Sequence, residues 1–364
     1  MVRFRLIAPY LIVAAIWLVS VVSKLKFNGL VYGLDFGLYH PDGVHYALRT
    51  LTWLGHNPSE AAQQISNWYL NNSAKNVTIN PASILPENSP AWGLVQPRLL
   101  YPALSMPFVA LFGLPGMLAI PAISLLVTML VIYKLANTRL GAPMSLILAS
   151  SISLSPTILR WSVANLTDPL SMALFSFLPL IYISKLSRRV EFLSVSLLIF
   201  LTSITRFCLP IWLGVATFLL LNKKLRDSIY VTLLALAAST QTLLVGTSVG
   251  LLPLESSNSL SHKLILLPIS FLKIAVVELG QLAVLDRFLL CILVLATVSS
   301  IWQYKRESSQ LFLVIALAVW LLGAINGVFG VNFRYQLPLV PFMYWVIISS
   351  STTKRISDAI SKLN

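Results

Sequence analysis

Long apolar runs separated by short polar or basic breaks occupy most of this chain. They show neither the alternation of a half-buried strand nor the single apolar stripe of a surface helix, so they predict helices surrounded by protein or lipid. The first run, about Arg5 to Ser23, follows Arg3 and Arg5, and no small-residue cleavage site trails it; it reads as an uncleaved anchor. Further spans are expected over Gly116–Leu135, Ala142–Leu159, Pro169–Leu186, Val190–Thr205, Phe207–Leu221, Ser228–Leu251, Arg287–Gln303, Gln310–Phe329 and Leu337–Ser351. The pattern thus predicts an all-α, polytopic transmembrane protein of about ten spans, one membrane-embedded domain over residues 1–364. Two stretches fit less well. Gln96–Gly113 carries Pro97, Pro102 and Pro107 and is expected to lie in or dip into the interface, because counting it as a span would put later basic clusters on the wrong side. Leu264–Leu285 reads as a further interfacial or re-entrant segment.

The one extended polar region, residues 24–98, is expected to form a large first external loop. Within it Pro58–Leu70 predicts a short helix, with Ser59 as its cap and Ile65, Trp68 and Tyr69 resting on the bilayer surface. Asn71–Pro90, rich in Asn, Ser and Pro, reads as irregular structure. The stretch Tyr32–Arg49 (YGLDFGLYHPDGVHYALR) gathers Asp35, His40, Asp42 and His45 where the first helix leaves the lipid. Ionisable groups so placed are candidates for chemistry or transport.

Composition narrows the class further. Charged residues are 10% of the chain against 57% hydrophobic, far from the roughly 25% charged of a soluble domain. The net charge of +14 comes from small basic clusters between apolar runs, which suits positive cytoplasmic loops and gives no stripe for nucleic acid. On this layout both termini are cytoplasmic and most acidic residues are external. Cys208 and Cys291 lie in apolar segments and read as small hydrophobes. No internal repeat and no Gly-rich phosphate loop is evident.

Asp42 lies in HPDGVHY, where Pro41 and Gly43 imply a turn and a helix begins near Val44. Two roles stay open for it: general base toward a bound hydroxyl, or helix cap. Asp35 shares both. Asp168, in RWSVANLTDP, is a second external acid and with Asp42 forms a tentative oxygen site for a divalent cation, short of a third local ligand. Arg98, Arg160, Arg206 and Arg334 fall at external helix ends, where each can snorkel or all can meet a phosphate. His40 and His45 lack a zinc-site spacing and read as hydrogen-bonding loop residues.

The order of these features resembles the GT-C superfamily of integral-membrane glycosyltransferases, mannosyltransferase-like enzymes that use polyprenyl-phosphate sugars. The resemblance runs from Arg3 to Pro341 through PDGVHY (Asp42), PRLLYP (Arg98, Tyr101), LTDPL (Asp168), ITRF (Arg206) and FRYQLPLVP (Arg334, Tyr335). It implies a GT-C-like fold and sugar transfer from a polyprenyl-phosphate carrier to a glycan or protein hydroxyl on the external face, in a plasma membrane if the host is bacterial. Asp42 would be the base or a metal-linked acid, with Asp35 the second candidate, and Arg98, Tyr101, Arg206, Arg334 and Tyr335 would bind substrate or phosphate. Membrane lipids would be partners and nucleic acid would not. The chain departs from the oligosaccharyltransferase pattern: it has no WWD-type motif, no large soluble C-terminal domain, and a single Asp where some members carry an acidic pair. That argues against transfer to a protein asparagine and leaves a divalent cation undecided. A transporter or flippase of lipid-linked sugars, or a non-catalytic subunit of the same fold, is the alternative. Transporters place ionisable groups mid-span, and the runs between Gly116 and Leu251 hold almost none apart from Arg206 at a break.

Overall fold

The computed structural model describes residues 2–32, 41–72, 78–89, 92–184, 186–249, 260–326 and 333–350, and every regular element among them is helical. α1 (Val2–Tyr32) leads into a layer of shorter helices: α2 (Pro41–Trp53), α3 (Pro58–Asn72), α4 (Trp92–Val95) and α5 (Leu100–Phe112). A bundle follows, built of α6 (Ala119–Leu140), α7 (Ala142–Ser151), α8 (Pro156–Ser162), α9 (Asp168–Ile183), α10 (Arg188–Ser203) and α11 (Leu209–Leu221). It is completed by α12 (Leu225–Val249), α13 (Leu260–Leu285), α14 (Arg287–Trp302), α15 (Glu307–Asn326) and α16 (Val340–Ser349).

Among the described residues, three helical stretches are long and apolar enough to cross a membrane: Ile7–Asn28, Leu114–Leu140 and Leu267–Leu285. The pair α7 and α8, bent by 72°, makes a fourth if it is one broken span. Several other apolar helices are shorter; a 13-residue helix such as α5 or α11 rises only about 20 Å against a hydrocarbon core of about 30 Å. Large apolar side chains stand outward on α1 and α13, with Val19 65%, Val276 70% and Val284 78% exposed, a surface that suits lipid better than water.

The helix bounds correct two expectations. α1 does not stop at Ser23 but continues to Tyr32, since no proline interrupts Lys24–Tyr32. Leu264–Leu285 is not a dip in the interface: it belongs to one continuous 26-residue helix, α13, which absorbs Pro268 in its interior. Gln96–Gly113 does contain only a short helix, α5. That helix ends at Gly113, which has φ +66° and donates its N–H to the Val109 carbonyl. A 3-10 turn over Leu114–Leu118 then doubles back so closely that a Cβ on Gly116 would sit 2.2 Å from the Phe108 carbonyl oxygen. Only glycine fits there.

The region expected as an external loop, residues 24–98, is largely helical and has its own core. Val44, Leu48 and Leu51 recur at helical spacing on α2 and pack with Ile65 and Tyr69 of α3, Ile84, Val95 and Tyr101. Ile65 and Tyr69 are therefore buried in protein and do not rest on a bilayer surface; Trp68 is half-buried. Nor does Ser59 cap α3. Asn57 does so, its Oδ1 accepting the Ser59 N–H at 3.0 Å ahead of Pro58 at the first helical position. A second, larger core joins α1 to the bundle helices, and Phe175, Trp212, Phe218 and Phe342 are among its fully buried rings.

Candidate functional site

The two cores meet where five charged residues converge. Their placement follows a simple division: carboxylates sit at helix starts and arginines sit in turns. Asp42 lies in the first turn of α2 and Asp168 in the first turn of α9, where unpaired N–H groups and the helix dipole favour negative charge. Arg98 precedes α5, Arg206 lies in the turn between α10 and α11, and Arg334 lies in the turn before the 3-10 helix Leu337–Leu339.

Arg334 is the hub. Its Nη2 donates to Asp42 Oδ2 at 2.7 Å and its Nε to Asp168 Oδ2 at 3.0 Å, joining positions 292 and 166 residues apart. Arg206 pairs with the other oxygen of Asp168. Arg98 Nη1 lies 3.4 Å from Asp42 Oδ2 and donates to the Tyr46 hydroxyl at 2.7 Å. Tyr335 supplies a ring face, 4.4 Å from the Arg206 guanidinium and 5.5 Å from that of Arg334. Trp161 lies 5.9 Å from Arg334, and Arg160, grouped with the others by the charge pattern, packs over that same indole at 5.0 Å.

Neighbouring contacts fix these turns. The Leu100 N–H donates to the Ile204 carbonyl at 3.1 Å, tying the Arg98 segment to the Arg206 turn. Trp212 Nε1 donates to Thr202 Oγ1 at 2.8 Å and closes the α10–α11 corner. Asn165 Nδ2 donates to the Gly43 carbonyl at 2.8 Å, bringing the approach to α9 against α2. Tyr101, expected among the substrate contacts, instead serves this scaffold: it is fully buried, packs edge-on against Tyr46, and shares its hydroxyl proton between the Met117 carbonyl and Asn165 Oδ1.

Burial separates the two acids. The Asp168 side chain is 0% exposed, whereas that of Asp42 is 21% exposed, so only Asp42 presents an edge to an incoming group. Asp42 lies in the first turn of α2, and its carboxylate reaches Arg98 and Arg334, contacts beyond those a helix cap needs. Asp35 and His40 lie outside the described residues. His45 is helical rather than in a loop; it is buried, its Nε2 is 3.1 Å from Ser89 Oγ, and burial lowers its pKa below the ordinary value.

The cluster holds three guanidinium and two carboxylate groups, an excess of one positive charge among these five. Burial and then the charge of Arg334 lower the Arg206 guanidinium to about 10, which leaves it charged at neutral pH. For Arg98, contacts with Tyr46 and Asp42 outweigh burial and raise its pKa. The donor set does not suit a divalent cation. Arginines already engage both carboxylates, and among the described residues no group of three or more acidic, His or Cys side chains is placed to hold a metal.

Sequence reasoning missed Glu278. Its side chain is 0% exposed in the C-terminal third of α13, and its Oε2 accepts the Phe333 N–H at 2.7 Å. Phe333 has φ +60°, strained for an aromatic residue, and immediately precedes Arg334. The carboxylate thus holds the turn that aims the hub arginine. Its signal was a lone acid in an apolar run, which is costly unless it has a partner. No family model matches the chain, and neither does the sequence of any curated protein.

Proposed function

We propose that this protein is a GT-C-like membrane glycosyltransferase of about ten spans, with both termini cytoplasmic, that moves a sugar from a polyprenyl-phosphate carrier to a hydroxyl acceptor on the external face. The observation that carries the reading is the convergence of Arg98, Arg206 and Arg334 with Asp42 and Asp168 in one largely buried cluster with a surplus positive charge. Such a cluster favours an anion, and planar guanidinium groups match a phosphate. The accessible Asp42 takes the proton of the acceptor hydroxyl. The freed oxygen attacks the anomeric carbon, and the carbon–oxygen bond to phosphate breaks. The leaving phosphate keeps that electron pair, its charge held by Arg334 and Arg206. Asp168, sealed from solvent, positions those two arginines. An incoming donor phosphate competes for Arg334, which loosens its grip on Asp42 when a base is needed.

A second reading, passage of a lipid-linked sugar, draws on one observation: Glu278 places a buried carboxylate inside a helix long enough to cross a membrane. Its bond to Phe333 ties it equally well to the transfer site. The two readings separate in one experiment. Membranes with wild-type protein and with Asp42→Asn are given radiolabelled polyprenyl-phosphate sugars, and product is counted apart from label that only changes leaflet. Transfer dependent on Asp42 supports the enzyme; movement of the label without product refutes it.

A further inference from the structure

A cavity of about 330 Å³ opens between α2, α4 and α12, and nothing in the transfer chemistry above uses it. Its chemistry-bearing lining is Arg49, Thr52, Trp53, Trp92, Gln96 and Gln241. From this lining we infer a subsite for a neutral pyranose ring of the acceptor. A sugar ring offers apolar C–H faces that pack on indoles, and a rim of hydroxyls that both donate and accept. Amide and hydroxyl side chains also do both. Among the described residues no carboxylate lines the cavity, and the cation that does is largely engaged: Arg49 Nη1 donates to the Gln96 carbonyl at 2.6 Å and the Val95 carbonyl at 3.2 Å, which disfavours a phosphate as the occupant. The four polar or charged side chains of the lining, Arg49, Thr52, Gln96 and Gln241, disfavour an acyl chain.

The rings are held before any ligand arrives. The Arg49 guanidinium lies 4.8 Å from the Trp92 ring and 5.8 Å from the Trp53 ring, while His45 meets Trp92 edge-on. Arg49 is only 7% exposed and lies against both rings, and aromatic walls placed before binding reduce its ordering cost. Position links the cavity to the reaction. Asp42, Tyr46, Arg49 and Trp53 fall at i, i+4, i+7 and i+11 of α2, one stripe of the helix. Seven residues separate Asp42 from Arg49, a rise of about 10 Å, which more than one sugar unit spans. On the transfer reading above, the acceptor is therefore a glycan: its reacting hydroxyl meets Asp42 while a sugar further along the chain occupies the tryptophan cavity.

The test is equilibrium binding to the purified full chain in a detergent without a sugar headgroup. The probes are methyl glycosides of mannose, glucose and galactose oligomers, two to four units long, followed by saturation-transfer NMR and calorimetry. Wild type should bind at least one with millimolar or tighter affinity. Trp92→Ala and Trp53→Ala should weaken that binding by about tenfold or more, as loss of an aromatic anchor does, and Trp92→Phe by less. Gln241→Ala, at an exposed position that folding does not depend on, should weaken it several-fold. Binding to no probe overturns the subsite, as does wild-type affinity in the folded Trp53→Ala and Gln241→Ala proteins, and so does displacement of the probe by lipid alone. Asp42→Asn should bind as wild type does. If it also transfers sugar at the wild-type rate, the base assignment fails while the subsite stands.

Discussion

Replacing each aspartate of the cluster by asparagine should produce opposite outcomes, because one carboxylate is sealed and the other is accessible. Asp168→Asn removes a charge that is fully buried and contacts both Arg206 and Arg334. Two guanidinium groups, 9% and 6% exposed, would then face each other without their shared counter-ion. Breaking one side of a buried pair typically costs about 3 to 5 kcal/mol. Asp42→Asn leaves Arg98 with Tyr46 and Arg334 with Asp168, and solvent reaches the site. Its cost should be smaller than that of Asp168→Asn, because Asp42 keeps a 21% exposed edge and each arginine retains another partner. Reversible unfolding in mixed micelles with increasing SDS, followed by tryptophan fluorescence, measures both. The activity ranking should invert: Asp42→Asn slows transfer by about a hundred- to ten-thousand-fold in a protein that unfolds near the wild-type midpoint. An Asp168→Asn protein as stable as wild type would refute the buried network, and an Asp42→Asn protein as destabilised as Asp168→Asn would make Asp42 a structural residue.

Glu278→Gln keeps an acceptor for the Phe333 N–H and should stay close to wild type in fold, whereas Glu278→Ala strands a buried N–H at a strained residue, costing about 1 to 3 kcal/mol, and should depress transfer through Arg334; equal behaviour of the two variants would argue against the clamp. Folded His45 has its pKa lowered from 6.5 by burial, so the unfolded chain binds its proton first. Its contribution to stability is therefore present above about pH 6.5 and is lost as pH falls below that toward the folded value. Unfolding midpoints between pH 5 and 8 should show that slope, and His45→Phe should flatten it. Ser187, at the start of α10 beside Arg188 and Arg189, should be cytoplasmic: in a background with the exposed Cys291 replaced, Ser187→Cys should react with an impermeant thiol reagent only after the membrane is opened. Labelling in intact cells would reverse the orientation proposed here.

The linear pattern was enough to determine the helical class, the apolar character of the bundle and where several helices begin. Asp–Pro at 168–169 carries its own start signal, and α9 starts there, whereas α2 starts at Pro41, ahead of the Val44 expected from the Pro41–Gly43 turn signal. It also singled out Asp42, Asp168, Arg206 and Arg334, because ionisable residues are few in such a chain. Local signals extended no further than a turn or two. They could not decide that the polar region after α1 folds over a core of its own, since burial of Ile65 and Tyr69 depends on partners as distant as Val95 and Tyr101. They ended α1 too early and read Leu264–Leu285 as an interfacial or re-entrant segment, because only packing decides whether a run with one proline stays one helix. Tyr101 stood in an Arg-Tyr-Pro element as though aimed at substrate, yet its hydroxyl is consumed by Met117 and Asn165. Above all, Arg334 meets Asp42 across 292 residues and Glu278 reaches it through the Phe333 amide. Which charge answers which is a property of the folded bundle: pairing energy depends on distance and on exclusion of water, and neither is written in the order of the residues.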